Sequence, residues 1–412
     1  MKPSTRQAKT ITLPFTSPED YIAMIPDTEK FREELLSIFE KHPELFPPDF
    51  EGRFHFVGTI ESKKLGITQR KIRLLANNET YQVRPSFIMP YMTGLTEDFE
   101  RALYLRSWGV PFHALTYCFG GYDMFWYRAF TSLGRNNVVG TTIKSEESLP
   151  EHLTGDEKHV KYFGVKGYIA TTAGNGAMLG ASFQYGASED DLIEGYGVFA
   201  KELSLLAPEF TPKTVNTDGW GATQKAFAAL FPGITIILCF LHSWISIRDR
   251  CKKAKALLNS IGDRVWDAYR AKTKRLFSQR IRRLREWAEK ELSEGIVKEK
   301  VLKLCSKRAE FSKAYDFEGA RRTSNEVDRM MDFQKRQIKS MRGLCGFEDS
   351  TDRFFRAVCL LWNFRPHASD SEDEAPRSVF EKINGFQYHE NWLQNLLCAA
   401  SLKGERPLHK KR

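Results

Sequence analysis

Hydrophobic and polar positions follow two rhythms along this chain. In "TVNTDGWGATQKAFAALFPGITIILCFLHSW", residues 214–244, an apolar run ends in Asp218, a helical period follows, and a second apolar run ends in Cys-x-x-His. That reads as strand, helix, strand, with Asp218 at the C-terminal mouth of the first strand, where open α/β sheets hold their sites. Upstream, "HLTGDEKHVKYFGVKGYIATTAGNGAMLGASFQYG" reads as two or three short antiparallel strands, with "AGNG" as the turn between the last two. Between the two stretches, Leu192, Tyr196, Phe199 and Leu203 keep helical spacing over about Asp190 to Leu206.

Three antiparallel strands, a helix, a strand, a helix and a fifth strand is the order that opens a ribonuclease-H-like fold. The expected class is α/β, α+β overall, with a mixed sheet of that type interrupted by an all-helical insertion. After His242 the pattern is helical for some 80 residues, and another helix is expected in "RRTSNEVDRMMDFQKRQIKSMRGL". The first 75 residues mix a helix over about Thr28 to Lys41 with the Pro-rich loop "HPELFPPDFEG"; "RKIRLLANNETYQVRPSF" then reads as a hairpin turning at Asn77-Asn78.

Three helices are expected in "TEDFERALYLRSWGVPFHALTYCFGGYDMFWYRAFTSLGR". Thr96 can cap the first, Pro111 opens the second, and Gly120-Gly121 precede a third over Tyr122 to Leu133. Short helices joined by a glycine turn suit a helix-turn-helix, and equally any three-helix packing module. The third helix carries only Arg128 as a base, with Arg135 just past its end, so DNA contact there would rest on phosphates and aromatic packing. The chain closes with the polar loop "ASDSEDEAP", which is given no role, and a helix around "NWLQNLLCAASL". The expected segments are 1–75, 76–145 (DNA-binding), 146–245 (first part of the catalytic core), 246–320 (basic insertion), 321–345 (core helix) and 346–412 (helical tail).

Composition narrows the class. A 42% hydrophobic content over 412 residues is ordinary for globular chains. No apolar run reaches the roughly 18 residues of a membrane span, which points to a soluble intracellular protein with no membrane partner. Seven scattered cysteines without a CxxC pair fit neither a disulfide framework nor a zinc ribbon. The net charge of +10 favours a polyanionic partner, and between about Arg248 and Arg322 basic residues outnumber acidic ones roughly two to one. There Lys272, Arg275, Arg280 and Arg283 form a broad basic surface, with Leu276, Ile281, Leu284 and Trp287 as the packing face. Nucleotide-binding glycine loops of the P-loop and Rossmann kinds are absent.

Two-metal phosphoryl transfer needs three carboxylates converging from separate elements. The first-strand candidate is Asp156 or its neighbour Glu157, which alternation puts on opposite faces. The second is Asp218, which could instead cap the following helix, a role Thr217 could also take. The third is Asp328, close to the face of Asn325 on its helix; Thr323 and Glu326 have capping-box spacing. Each acid alone also has an ordinary structural explanation.

"TDGW", "LFPGITIILCFLH", "IRDR" and "RTSNEVD" together resemble bacterial insertion-sequence transposases with an acidic triad, of the wider Mutator-like group. The resemblance covers about Leu149 to Asp328; "RPSFIMPYM", "LRSWGVPF" and "GRNNVVGTT" look like the DNA-binding half of such proteins. It implies that Asp156, Asp218 and Asp328 hold Mg²⁺, with Mn²⁺ able to substitute, although the third acid of the family is usually glutamate. Cys239, His242 and Asn325 would stand beside the site. The implied activity is a DNA transposase that cleaves its element's ends and joins them to target DNA. Its partners would be double-stranded DNA, as terminal inverted repeats and target, and a second copy in a homodimer. The rival readings are an inactive or domesticated DNA-binding derivative and a structure-specific nuclease on the same fold.

Overall fold

Nine strands build two sheets in the computed structural model, which describes residues 9–15, 17–62, 65–344, 348–368 and 375–408. The first sheet is N-terminal. It comprises β1 (Thr10–Leu13), then helices α1 (Pro18–Met24) and α2 (Thr28–Lys41), then β2 (Phe54–Ser62), β3 (Ile67–Leu74) and β4 (Thr80–Pro85). The strand order is β1-β4-β3-β2, with β1 parallel to β4 and the other pairs antiparallel. α2 spans the expected residues, and Asn78 at φ 57° turns the β3–β4 hairpin. Sequence reading missed β2 because most of its positions are exposed and carry no clean alternation.

Four helices follow: α3 (Thr96–Ser107), α4 (Phe112–Phe119), α5 (Asp123–Leu133) and α6 (Val138–Thr142). Thr96 does not cap α3. Leu95 holds that position, its N–H donating to Asp98 Oδ2 at 2.9 Å, while Thr96 is buried in the first turn.

The second sheet takes β5 (His152–Tyr162), β6 (Val165–Gly174), β7 (Ala177–Gln184), α7 (Glu189–Leu206), β8 (Thr214–Thr217), α8 (Gly221–Leu230) and β9 (Thr235–Leu238). Its order is β7-β6-β5-β8-β9; the first three strands are antiparallel, and β8 and β9 run parallel to β5. This is the ribonuclease-H-like arrangement expected from the element order. On one face α7 and α8 enclose a core that includes Leu153, Leu179, Tyr196, Phe199 and Phe227.

The helical insertion, α9 (Phe240–Cys251), α10 (Lys255–Tyr269), α11 (Lys274–Glu291), α12 (Ile296–Ser306) and α13 (Arg308–Ser312), packs a core of its own around Phe240, Ile247, Phe277 and Leu284. The chain then returns through α14 (Asn325–Lys339) and α15 (Glu348–Phe364) to the other face of the second sheet, followed by α16 (Val379–Asn384) and α17 (Trp392–Ala399). One hydrophobic cluster runs from Ile11 to Leu402 and joins the N-terminal sheet, α3 to α5, α14, α15 and α17. Most of the acidic loop "ASDSEDEAP" lies outside the described residues. Among those described, no helix is long and apolar enough to cross a membrane.

Candidate functional site

Parallel pairing fixes where the first two acids stand. Thr154 of β5 is in register with Asn216 of β8, and Asp156 and Asp218 each follow two residues later. Two side chains of equal register therefore leave neighbouring strands, whose spacing is about 4.8 Å. β9 joins them there, where Cys239 N–H donates to the Thr217 carbonyl at 2.7 Å.

The third acid arrives because the segment before α14 is tied to these strand ends. Asn216 Nδ2 donates to the Arg321 carbonyl at 3.1 Å, and Phe240 N–H to that of Arg322 at 3.0 Å. Ser324 N–H donates to Cys239 Sγ at 3.2 Å, and Ser324 Oγ lies 3.3 Å from both that sulfur and His242 Nδ1. α14 starts immediately after this clip, which sets Asp328 one turn into the helix and over the sheet. Carboxylate oxygens of Asp156 and Asp328 and a ring nitrogen of His242 lie within 4.8 Å of one another.

Asp218 stands outside that cluster but near enough for its charge to act on Asp156 and His242. It does not cap α8, whose cap position is Trp220; Asp218 Oδ1 accepts the Trp220 N–H at 2.8 Å in a local turn. Thr217 does not cap either, its buried hydroxyl finding no partner.

The charges fit this crowding. Burial, reinforced by Asp218 and Asp328 against His242, pushes Asp156 up to about 6. Asp328 is also raised, by burial first, against the pull of His242 and Lys158. His242 rises to about 9, chiefly through the Cys239 sulfur beside it and against burial, with Asp156 and Asp218 adding to the rise. Burial pushes the Cys239 thiol up, but its bonds with His242 and Ser324 outweigh that and hold it below the usual thiol range. An imidazolium thus offsets a group of carboxylates at the mouth of the sheet.

Alternation divides the first pair as expected. Glu157 points to the opposite face, where its Oε1 accepts from Tyr196 Oη at 2.6 Å and Thr223 Oγ1 at 2.5 Å. It is a packing carboxylate. Glu326 is not part of a capping box: Ser324 is the cap of α14, and Glu326 instead accepts the Gly176 N–H in the β6–β7 turn. Asn325 is exposed at the first turn, and its neighbour Ser324 makes the contacts at the site. Ser324 and Lys158 went unnamed in the sequence reading, as did Lys307, whose Nζ is 3.9 Å from where a Cβ on Gly219 would lie. A serine preceding a helix signals only a cap, and nothing in the spacing brings residue 307 to residue 219.

The expected DNA-contacting bases are scattered. Arg128 is exposed on α5, a helix whose Trp126, Phe130 and Leu133 are buried. Arg135 is exposed and stacks over Tyr91 at 4.4 Å. Lys272 precedes α11 rather than lying on it. Arg280 is half-buried and paired with Asp267 at 3.1 Å, which corrects its reading as a solvated cation. Arg275 and Arg283 are exposed. Arg282, Arg285 and Lys274 are each ion-paired, to Glu286, Glu289 and Asp316, so much of the insertion's positive charge is neutralised locally.

No protein-family model matches the chain, and no curated protein sequence matches it. Among solved structures, the chain is similar to the cryo-EM structure of a simian T-cell lymphotropic virus intasome in complex with PP2A regulatory subunit B56 gamma. That match has 16% identity and a TM-score of 0.19, over 47% of this chain and 70% of the other. At that score the overlap leaves the activity to be read from the site itself.

Proposed function

We propose that the chain is a DNA transposase of the three-aspartate kind, a polynucleotidyl transferase that cuts the ends of a mobile element and joins them to target DNA. The observation that carries this reading is the meeting of Asp156 and Asp328, from a strand and a distant helix, beside His242, with Asp218 just past the end of the neighbouring strand and near enough for its charge to act on Asp156. No packing role accounts for Asp156, which is buried with two further carboxylates nearby and whose side chain accepts, among the described residues, the Glu157 N–H alone. The donor set suits a hard divalent cation, since carboxylate oxygens are what Mg²⁺ takes.

In this reading Asp156 and Asp328 hold the cation and Asp218 completes the set from β8. Bound Mg²⁺ would supply charge stabilisation at a phosphodiester and a more acidic attacking hydroxyl. His242, held by Ser324, neutralises the carboxylates and presents a positive charge to an incoming phosphate. Trp220, exposed beside Asp218 and 5.8 Å from the Tyr168 ring, offers a flat surface for a base. The 3′ hydroxyl of the cut end attacks a phosphorus of target DNA and displaces the neighbouring 3′ oxygen, so one phosphodiester bond forms as another breaks.

The test uses full-length protein, Mg²⁺, a labelled duplex from the DNA flanking the gene, and a supercoiled target plasmid. Label covalently joined to plasmid is the expected result. Cleavage without joining would replace the reading with a nuclease, and neither reaction would overturn it.

A further inference from the structure

Beyond the carboxylates, α14 carries a second feature that neither the charge pattern nor the site explains. Arg329, Asp332, Lys335, Arg336 and Lys339 follow one another at steps of one to four residues and line a groove of about 520 Å³ against the end of α15. The four α14 bases are exposed, and with Arg365 they set five cations against one carboxylate. None of the five forms an ion pair among the described residues. In the insertion, by contrast, eight of the 21 Lys and Arg residues between 246 and 320 are ion-paired.

Arg365 is the telling member. It is only 4% exposed, yet its Nε and Nη1 have no hydrogen-bond partner. Its guanidinium is held among Trp108, Phe333 and Trp362, with ring centroids 4.9, 5.0 and 5.4 Å away. Burial, reinforced by the nearby Arg336, pushes its pKa down to about 10, which still leaves it charged at neutral pH. A buried guanidinium with unused donors is costly unless something supplies acceptors. Aromatic rings on its flanks fix its plane; Nε and Nη1 are enclosed, so a phosphate in the groove would meet the guanidinium at Nη2.

We propose that this groove binds the phosphodiester backbone of DNA as it leaves the carboxylate site, with Arg365 as the fixed anchor and the α14 bases as its lead. The proposal rests on the reading of the site as acting on DNA. Arg329 directly follows Asp328, and the ten residues to Lys339 cover about 15 Å of helix. At about 3.4 Å of duplex per phosphate on one strand, that length faces roughly four phosphates.

The test measures binding of full-length protein to a labelled duplex of about 30 base pairs across a salt series, with EDTA present so that no cutting occurs. Arg336→Gln with Lys339→Gln is expected to weaken binding at every sequence and to make the salt slope shallower by about two. Arg365→Met, which keeps the stem among the rings, is expected to lower it by about one. If Arg365→Met fails to fold, the two exposed substitutions decide alone. An unchanged slope and affinity in the double variant overturns the groove. Wild-type cutting with an unchanged slope fails the groove and spares the proposed activity; a reduced slope in a protein that never cuts does the reverse.

Discussion

Replacing Glu202 tests whether α6, α7 and α15 are held together as one body. This α7 carboxylate is 4% exposed; its Oε2 accepts the N–H groups of Val138 and Val139 at 2.7 and 3.0 Å, and its Oε1 pairs with Arg356 of α15 at 2.8 Å. Burial still raises the Glu202 pKa despite these three partners, so the ion pair is not a large net gain over an apolar contact. Removing one member is another matter. Glu202→Ala leaves two buried N–H groups unpaired and takes the carboxylate from the part-exposed Arg356, at a cost of about 3–5 kcal/mol. With unfolding entropy of about 2.1 cal/mol/K per residue over 412 residues, a loss near 4 kcal/mol lowers the melting temperature by about 5 °C. Calorimetry on wild type, Glu202→Ala and the double variant Glu202→Leu with Arg356→Met is the assay. The double variant should recover only the charge's share of the loss, because the Val138 and Val139 N–H groups stay unpaired in it. A single variant melting within about 1 °C of wild type would show that α6, α7 and α15 are not coupled through this residue.

Three other outcomes follow from single contacts. Burial holds His367 down at about 4, so between the unfolded value near 6.5 and that value the unfolded chain binds the extra proton and stability falls as pH drops; denaturation at pH 6.5 and 5 should show wild type losing about 2 kcal/mol more than His367→Gln. A Cβ on Gly155 would lie 2.4 Å from the Phe227 ring, so Gly155→Ala should cost about 1–3 kcal/mol and disturb the adjacent Asp156, read as a lower melting temperature together with slower DNA cutting. In the insertion, Arg283→Gln should make the salt slope of DNA binding shallower by about one, whereas Arg280→Gln should change it less and lower stability instead, since Arg280 is bound to Asp267.

Much of the second sheet was legible because its strands are buried runs bounded by turns that carry Gly and Asn. The α2 boundaries and the β3–β4 turn were legible for the same reason. What failed was local chemistry with two valid solutions. Thr96 and Leu95 compete for one cap position, and Thr323 with Glu326 satisfies a capping pattern that the fold sets aside to tie Glu326 to Gly176. Arg280 looked free because its partner Asp267 lies on another helix. The groove was invisible for a deeper reason: Arg365 is 26 residues from Lys339, and only the packing of α15 on α14 sets that one arginine against the basic face of α14.

The central claim is that Asp156, Asp218 and Asp328 act as one unit on a phosphodiester. Rates of DNA cutting in Mg²⁺ should be measured for Asp156→Asn, Asp218→Asn, Asp328→Asn and the triple variant, each checked for folding and for duplex binding in EDTA. Groups that serve one centre are strongly non-additive, so each single variant should lose nearly as much rate as the triple, while duplex affinity in EDTA stays within a few-fold of wild type. Wild-type cutting by Asp218→Asn, or losses that simply multiply to the triple, would contradict the account.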